Sequence, residues 1–423
     1  MRRAYTHLEE NVLSLMSRSE VERLARECGF YRRTPQQIRA FEFAICCALG
    51  AVAEGNRGFA SVWRLLTAAA GIEVARSAVT QRFGPGSAKL LETLARQAIE
   101  RLPMASPPEY LDKLRQFVAV LGQDGSVLKL SPLLAKLFPA TRTNVVKAGG
   151  RLHATADLVQ RRIVEVEITG ERVSELAVAR NRAITPNVLY MFDLGYASYD
   201  YFRELRDGNA ELLSRLKDNA NPVLVEAFHG VLSPKASVGK KLNDLLYTKS
   251  HKTFDLMADF PTSKGLLRLR VVGIYNPETE KYHCYVTSLP PDLLTVEEIA
   301  DLYALRWVIE LLFKLLKSFC HLDHLDTGNP DALRTHIYAS ILAASILTAL
   351  NVAAAKSTGL PPASMSALVI GAAAPLLAIP MLLIWLGRGT TADELAAMLM
   401  RTLAIGCRDQ NPARTRRKWG RLG

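Results

Sequence analysis

Tyr303 to Lys317 reads YALRWVIELLFKLLK, and the fold around it follows from how that stretch is read. Leu302, Leu305, Ile309, Leu312 and Leu316 recur at helical spacing and supply a side that faces a core. Tyr303, Arg306, Glu310, Lys314 and Lys317 follow one another at steps of three and four, so the pattern predicts one amphipathic helix with these residues on a broad face. Thr295 precedes Glu298 by three residues, the spacing of a capping box, which places the helix start near Val296. Glu310 is a single acid among Arg306, Lys314 and Lys317. Two readings stand side by side: an ion-paired surface, or a carboxylate set among bases to meet a cation.

Working outward, two more acids close apolar runs far upstream. FVAVLGQD reads as a strand ending at Asp124, with Gly125-Ser126 after it as a turn. NVLYMFDLG reads as a strand with Asp193 near its end and Gly195 beyond. Each Asp alone fits a turn residue equally well. Between and after them, RLHATADLV and RIVEVEITG alternate as strands, ERVSELAVAR is helical, a helix runs from about Ser198 to Arg206, and ELLSRLK is a further strand. Strand, strand, strand, helix, strand, helix, strand suits a mixed sheet with helices packed over it. Acids at strand ends face the crevice at the sheet's carboxyl edge.

From about residue 221 to 292 the chain turns to short strands, TFDLMADF, GLLRLRVVGIY and KYHCYVTSL, the last two joined by a turn at Asn276–Thr279. Lys235, Lys240, Lys241, Lys249, Lys252, Arg268 and Arg270 make this insertion basic, as a solvated face or one that follows phosphates. Residues 1–108 read helical. Ser17–Cys28 is one helix, a second starts at Thr34-Pro35 and runs through FEFAICCALG, and SVWRLLTAAAG and ARSAVTQRF flank Gly71. The last two suggest a helix-turn-helix, with Ser77, Thr80, Gln81 and Arg82 as candidate DNA contacts, or a scaffold and dimerisation role. A boundary is expected at Met104–Pro108, followed by a helix to about Arg115. The divisions are then 109–220 and 293–330 for the two parts of a catalytic core, 221–292 for the insertion, and 331–423 for a helical C-terminal region ending in the basic RTRRKWGRLG.

The bulk numbers bound the class of protein. With 423 residues, 49% apolar and 22% charged, the chain has material for a large core and is not disordered. A formal charge of +12 and a pI near 9.4 favour a polyanionic partner without requiring one. The six cysteines form no CxxC pair, and the histidines (His153, His229, His251, His283, His321, His324 and His336 among them) have no zinc-ligand spacing. The opening MRRAYTHLEENV has no apolar run of signal-peptide length, so a reducing cytoplasm is expected. Ile337–Ala354 and Ala367–Leu386 approach bilayer-spanning length. The soluble character of residues 110–330 favours buried helices there, and no membrane partner is expected.

Three carboxylates from separate elements, set among bases, have the chemistry to hold divalent ions about 4 Å apart against a phosphodiester. Asp157, Glu165 and Asp200 compete for the same role on composition alone.

The residues also resemble a known family. Tyr303, Arg306, Glu310 and Lys317 match in full the Tyr-x2-Arg-x3-Glu-x6-Lys signature of DDE transposases of the bacterial IS4 type. Asp124-Gly125-Ser126 is similar to the family's first-acid context, and Asp193-Leu194-Gly195-Tyr196 to its second, with Leu194 where many members have Arg. The resemblance implies a ribonuclease-H-like α/β core interrupted by a β-rich insertion and flanked by helical regions. It implies Asp124, Asp193 and Glu310 as catalytic ligands of Mg²⁺ or Mn²⁺, two ions, and Tyr303, Arg306, Lys314 and Lys317 as DNA-binding residues. The expected activity is cleavage at terminal inverted repeats of double-stranded DNA and strand transfer into target DNA, by a homodimer in the DNA complex. A standalone metal-dependent nuclease and a non-catalytic DNA-binding protein are the alternatives.

Overall fold

A computed structural model describes residues 2–31, 37–53, 58–102, 109–141, 145–159, 162–230, 234–246, 252–322, 325, 327–359 and 367–387. One nine-stranded sheet organises the chain. Its strands are β1 (Ala119–Leu130), β2 (Ala148–Asp157), β3 (Arg162–Gly170), β4 (Val188–Phe192), β5 (Glu211–Arg215), β6 (Val223–His229), β7 (Thr253–Thr262), β8 (Gly265–Asn276) and β9 (Lys281–Thr287), in the order β3-β2-β1-β4-β5-β9-β8-β7-β6. β1, β2 and β3 are antiparallel neighbours, whereas β4 and β5 run parallel to β1. That is the expected ribonuclease-H-like mixed α/β core. The strands of the insertion extend the same sheet, because β9 pairs antiparallel with β5.

β4 shows why its sequence is uniformly apolar. Val188, Tyr190 and Phe192 enter the core on one face, and Leu189 and Met191 enter the core on the other. A strand buried on both faces has no polar side to display. The core on the second face also takes in the N-terminal helices Ala40–Ala53 and Pro85–Glu100 and the long helix Pro330–Thr358. A buried contact between Ser87 Oγ and Thr335 Oγ1 at 3.0 Å, and Lys356 Nζ donating to Asn11 Oδ1 at 2.9 Å, tie the two ends of the chain together. The long helix starts at Asn329, whose side chain accepts from Asp331 N and Ala332 N, with Pro330 in the first turn, and it stops at Gly359 with φ 70°. Its Pro330–Ser357 stretch is long and apolar enough to cross a bilayer, yet 83% of its apolar window is buried inside the protein. It is a core helix of this fold. The helix Ala367–Trp385 continues through Pro375 and Pro380.

Several expectations change. The helix expected from Thr34-Pro35 starts at Ala40, and residues 32–36 lie outside the described residues. The stretch before Arg115 is a tight 3₁₀ segment, Glu109–Leu114. β6 went unread in sequence, its alternation being broken by two register shifts against β7. Arg270 is neither solvated nor free for phosphate: it is 1% exposed and forks onto Asp255 in β7, with bonds of 2.8 and 2.7 Å. Arg268 pairs with Asp259 in the same hairpin at 2.9 Å. The Met104–Pro108 boundary, Lys249, His324 and the basic tail lie outside the described residues.

Candidate active site

The register of β1 and β4 brings the two aspartates together. The last paired position is Gln123 opposite Phe192, so Asp124 and Asp193 stand one step further along neighbouring strands. Asp124 does not end its strand, as the sequence suggested. β1 continues six residues beyond it, to Leu130, and Asp124 itself is paired with Ala154 of β2. Gly125 is therefore a strand residue and not a turn. It is β4 that stops, leaving the β1 edge open at Asp124 and turning the chain at Asp193 into a 3₁₀ segment, Leu194–Tyr196.

The Tyr303–Lys317 stretch is not one helix. Val296–Ala304 ends in a tight turn at Leu305 and Arg306, Trp307–Lys314 is a second helix, and Leu315–Phe319 is a π-turn. The start near Val296 is as expected: Thr295 Oγ1 accepts from Glu298 N at 3.2 Å, and Glu298 Oε2 accepts from Thr295 N at 2.8 Å. No glycine or proline announces the break. Backbone bonds tighten there to three-residue steps, Leu305 N to Leu302 O and Arg306 N to Tyr303 O. Ile309 and Phe313 anchor the second helix in the core, each worth about 1.5–3 kcal/mol on burial.

This break places Arg306 at the centre of the site. Its Nη2 meets Glu310 Oε1 at 2.6 Å and its Nη1 lies 3.7 Å from Asp124 Oδ2. Burial pulls the Arg306 pKa down, but the field of Tyr303, Asp193, Glu310 and Asp124 more than offsets this and holds the cation charged. Asp124 and Glu310 thus meet at one guanidinium, and Asp193 stands beside Asp124 at the end of the neighbouring strand, with its charge felt at Arg306. Among the described residues no three His, Cys, Asp or Glu side chains close around a single ion position. Arg306 supplies the cation that Asp124 and Glu310 meet, and these are hard carboxylates of the kind that Mg²⁺ and Mn²⁺ prefer.

Tyr303 is buried beneath the site and donates from its hydroxyl to Phe192 O at 3.3 Å, bracing the end of β4 next to Asp193. Lys317 donates to Val127 O of β1 at 2.8 Å, and Lys314 is exposed. The competing acids are engaged elsewhere: Asp200 accepts from Ser263 N and Oγ, Glu165 pairs with Arg182 at 3.2 Å, and Asp157 accepts from Val159 N. Of the N-terminal candidates, Ser77, Thr80 and Gln81 are exposed, Arg82 lies over the Phe30 ring, and their helix, Arg76–Thr80, has only five residues.

Sequence reading missed Glu175, which opens the Glu175–Arg180 helix, pairs with Arg151 at 2.8 Å and adds its charge to the site. Its signal in the sequence is the glycine near each aspartate: Gly125, which reads as a turn, and Gly195 both leave room for its carboxylate.

Burial pushes the Asp124 carboxyl up to about 6. Gly125 N and Arg306 oppose the shift, whereas Asp193 and Glu175 add to it. An acid whose folded pKa is raised stabilises the fold below its unfolded value near 3.8 and loses that contribution as pH rises through 6. Asp124→Asn is therefore expected to stabilise the metal-free protein at pH 7 by about 1–3 kcal/mol. The upper end is the full shift, and loss of the Arg306 attraction lowers it. Thermal unfolding at pH 7 and pH 4 checks this, because the gain should vanish near pH 4.

Residues 132–346, just over half of the chain, match the family model described as transposase DDE domain, a span that includes Asp193 and Glu310 and starts after Asp124. The chain is 21% identical over 375 residues to the transposase for insertion sequence element IS231C of Bacillus thuringiensis subsp. berliner, covering 80% of this chain and 77% of that one. It is 44% identical over 78 residues to the putative transposase InsL for insertion sequence element IS186A of Escherichia coli (strain K12), covering 18% of this chain and 21% of the other. A cryo-EM structure of a piggyBac transposase synaptic complex with hairpin DNA aligns with 96% of this chain and 86% of that chain, at a TM-score of 0.47 and 11% identity. With the family model spanning that much of the sequence, and relatives of the same kind matching most of its length, this chain belongs to the DDE-domain transposases.

Proposed function

We propose that this transposase cuts DNA at terminal inverted repeats and joins the freed 3′-hydroxyl to target DNA, with Asp124, Asp193 and Glu310 as its catalytic acids. The carrying observation is the meeting of Asp124, from a strand, and Glu310, from a helix, on the guanidinium of Arg306, with Asp193 at the matching position at the end of the neighbouring strand. Asp124, Asp193 and Glu310 are the residues that would hold Mg²⁺ or Mn²⁺, two ions in this reading. Bound there, such ions supply the charge that activates the attacking oxygen and stabilises the leaving one. Arg306, freed from the carboxylates, is then available to a DNA phosphate, which its planar fork suits. Lys314 and Lys317 flank the same path, and Tyr303 contributes by fixing the position of Asp193. In this reading residues 1–108 bind transposon ends or support a homodimer on DNA, and the acids are completed within residues 109–220 and 293–330.

The test uses the full chain, a linear duplex ending in the inverted repeats that flank its gene, and a target plasmid. Mg²⁺- or Mn²⁺-dependent exposure of a 3′-hydroxyl and its covalent joining to the plasmid are expected. Cutting without joining would leave a standalone nuclease, and absence of cutting with either metal overturns the catalytic assignment.

A further inference from the structure

Glu175 lies behind both aspartates. Its helix starts at Ser174, whose hydroxyl accepts from Ala177 N, and its carboxylate lies against Gly125 and Gly195. A Cβ built on Gly125 would overlap Glu175 Oε1, and one built on Gly195 would overlap Oε2. Gly125 directly follows Asp124 and Gly195 stands two residues after Asp193, so one carboxylate fills the space beside both acid motifs. Neither glycine has a positive φ. Backbone conformation therefore does not demand glycine at either place; room for this carboxylate does.

The charges agree with the geometry. Asp124, Asp193, Glu175 and Glu310 face Arg151 and Arg306, which leaves an excess of two acids over these two cations. Nε of Arg151 and Nε of Arg306 are both buried without a hydrogen-bond partner. Arg270 differs: its Nε and both Nη atoms are bonded, as in a fixed structural clamp. The two guanidiniums of the site are incompletely held, which is how counter-ions that yield to another cation would be held.

We infer that Glu175 is a fourth acid of this transposase site, holding divalent metal together with Asp124 and Asp193, with Arg151 as its counter-ion when metal is absent. This rests on the catalytic reading of the two aspartates. Arg151 and the divalent ion compete for Glu175, so removing one should favour the other.

The test is Mn²⁺ binding to the full-length protein without DNA, read by titration calorimetry beside the thermal midpoint of each variant. Glu175→Gln should weaken Mn²⁺ binding about 10-fold or more, whereas Arg151→Gln should tighten it. Wild-type affinity in E175Q overturns the inference. So does weakening in R151Q equal to that in E175Q, which would make the pair a structural tie only. If E175Q fails to fold, R151Q decides alone: tighter binding supports the inference, and unchanged or weaker binding overturns it. Asp193→Asn separates the two readings. Mn²⁺ bound by D193N as by wild type removes the catalytic assignment itself, and loss in D193N with none in E175Q removes only the role of Glu175.

Discussion

Glu310→Gln is expected to lower both cutting and joining at least about 10³-fold while leaving the binding of transposon ends within about two-fold. Glutamine keeps the size of the side chain, so the Trp307–Lys314 helix retains Ile309 and Phe313 in the core. What changes is charge at the centre of the site. Arg306 keeps an acceptor in the glutamine oxygen but loses the charge of its 2.6 Å partner, which leaves the longer 3.7 Å approach to Asp124 as its ion pair. Burial raises the Glu310 pKa, with Arg306 opposing the shift and Asp193 adding to it, so ionised Glu310 is partly a cost to the fold. The variant should therefore fold at least as well as wild type. Strand-specific cleavage, strand transfer and a gel-shift measurement on the same preparation check all three statements. Retained cleavage would remove Glu310 from the chemistry.

Arg270→Met should have the largest effect on stability, a loss of about 3–5 kcal/mol. The guanidinium forks onto both oxygens of Asp255 and also donates to Pro290 O at 3.1 Å and Leu294 O at 2.9 Å. Removing it strands a carboxylate that is 7% exposed and frees two carbonyls just before the Thr295 cap. That segment leads into the helix pair carrying Arg306 and Glu310, so DNA cleavage should fall with stability. Replacing both partners, R270M with D255L, should recover most of the loss, because an apolar pair leaves no buried charge unpaired. Chemical denaturation of the single and double variants reads this directly. A double variant no more stable than R270M would mean that the two carbonyl contacts dominate.

Much of the core was legible because its signals are local. The strand and helix order from β1 to β5 follows from alternation and helical spacing, and the capping box at Thr295 lies where the residues say it should. Both faces of β4 are buried, and its unbroken apolar run already indicated this. Where the reading failed, a partner distant in sequence decided the outcome. Asp124 looked like a strand end because Gly125-Ser126 resembles a turn, but pairing with β2 carries the strand through to Leu130. Arg270 resembled a surface base until Asp255 was placed opposite it across the β7–β8 hairpin.

By itself, then, the sequence determined the element order from β1 to β5 and the base-rich stretch around Glu310, since composition and periodicity are properties of contiguous residues, while the family motifs singled out the three acids. Only the tertiary structure decided that β4 stops one step short of Asp193, that the helix breaks to put Arg306 among the acids, and that Glu175 occupies the space left by two glycines. Each of these depends on long-range register and packing, in which residues up to 186 positions apart, Asp124 and Glu310, are brought to a single charge.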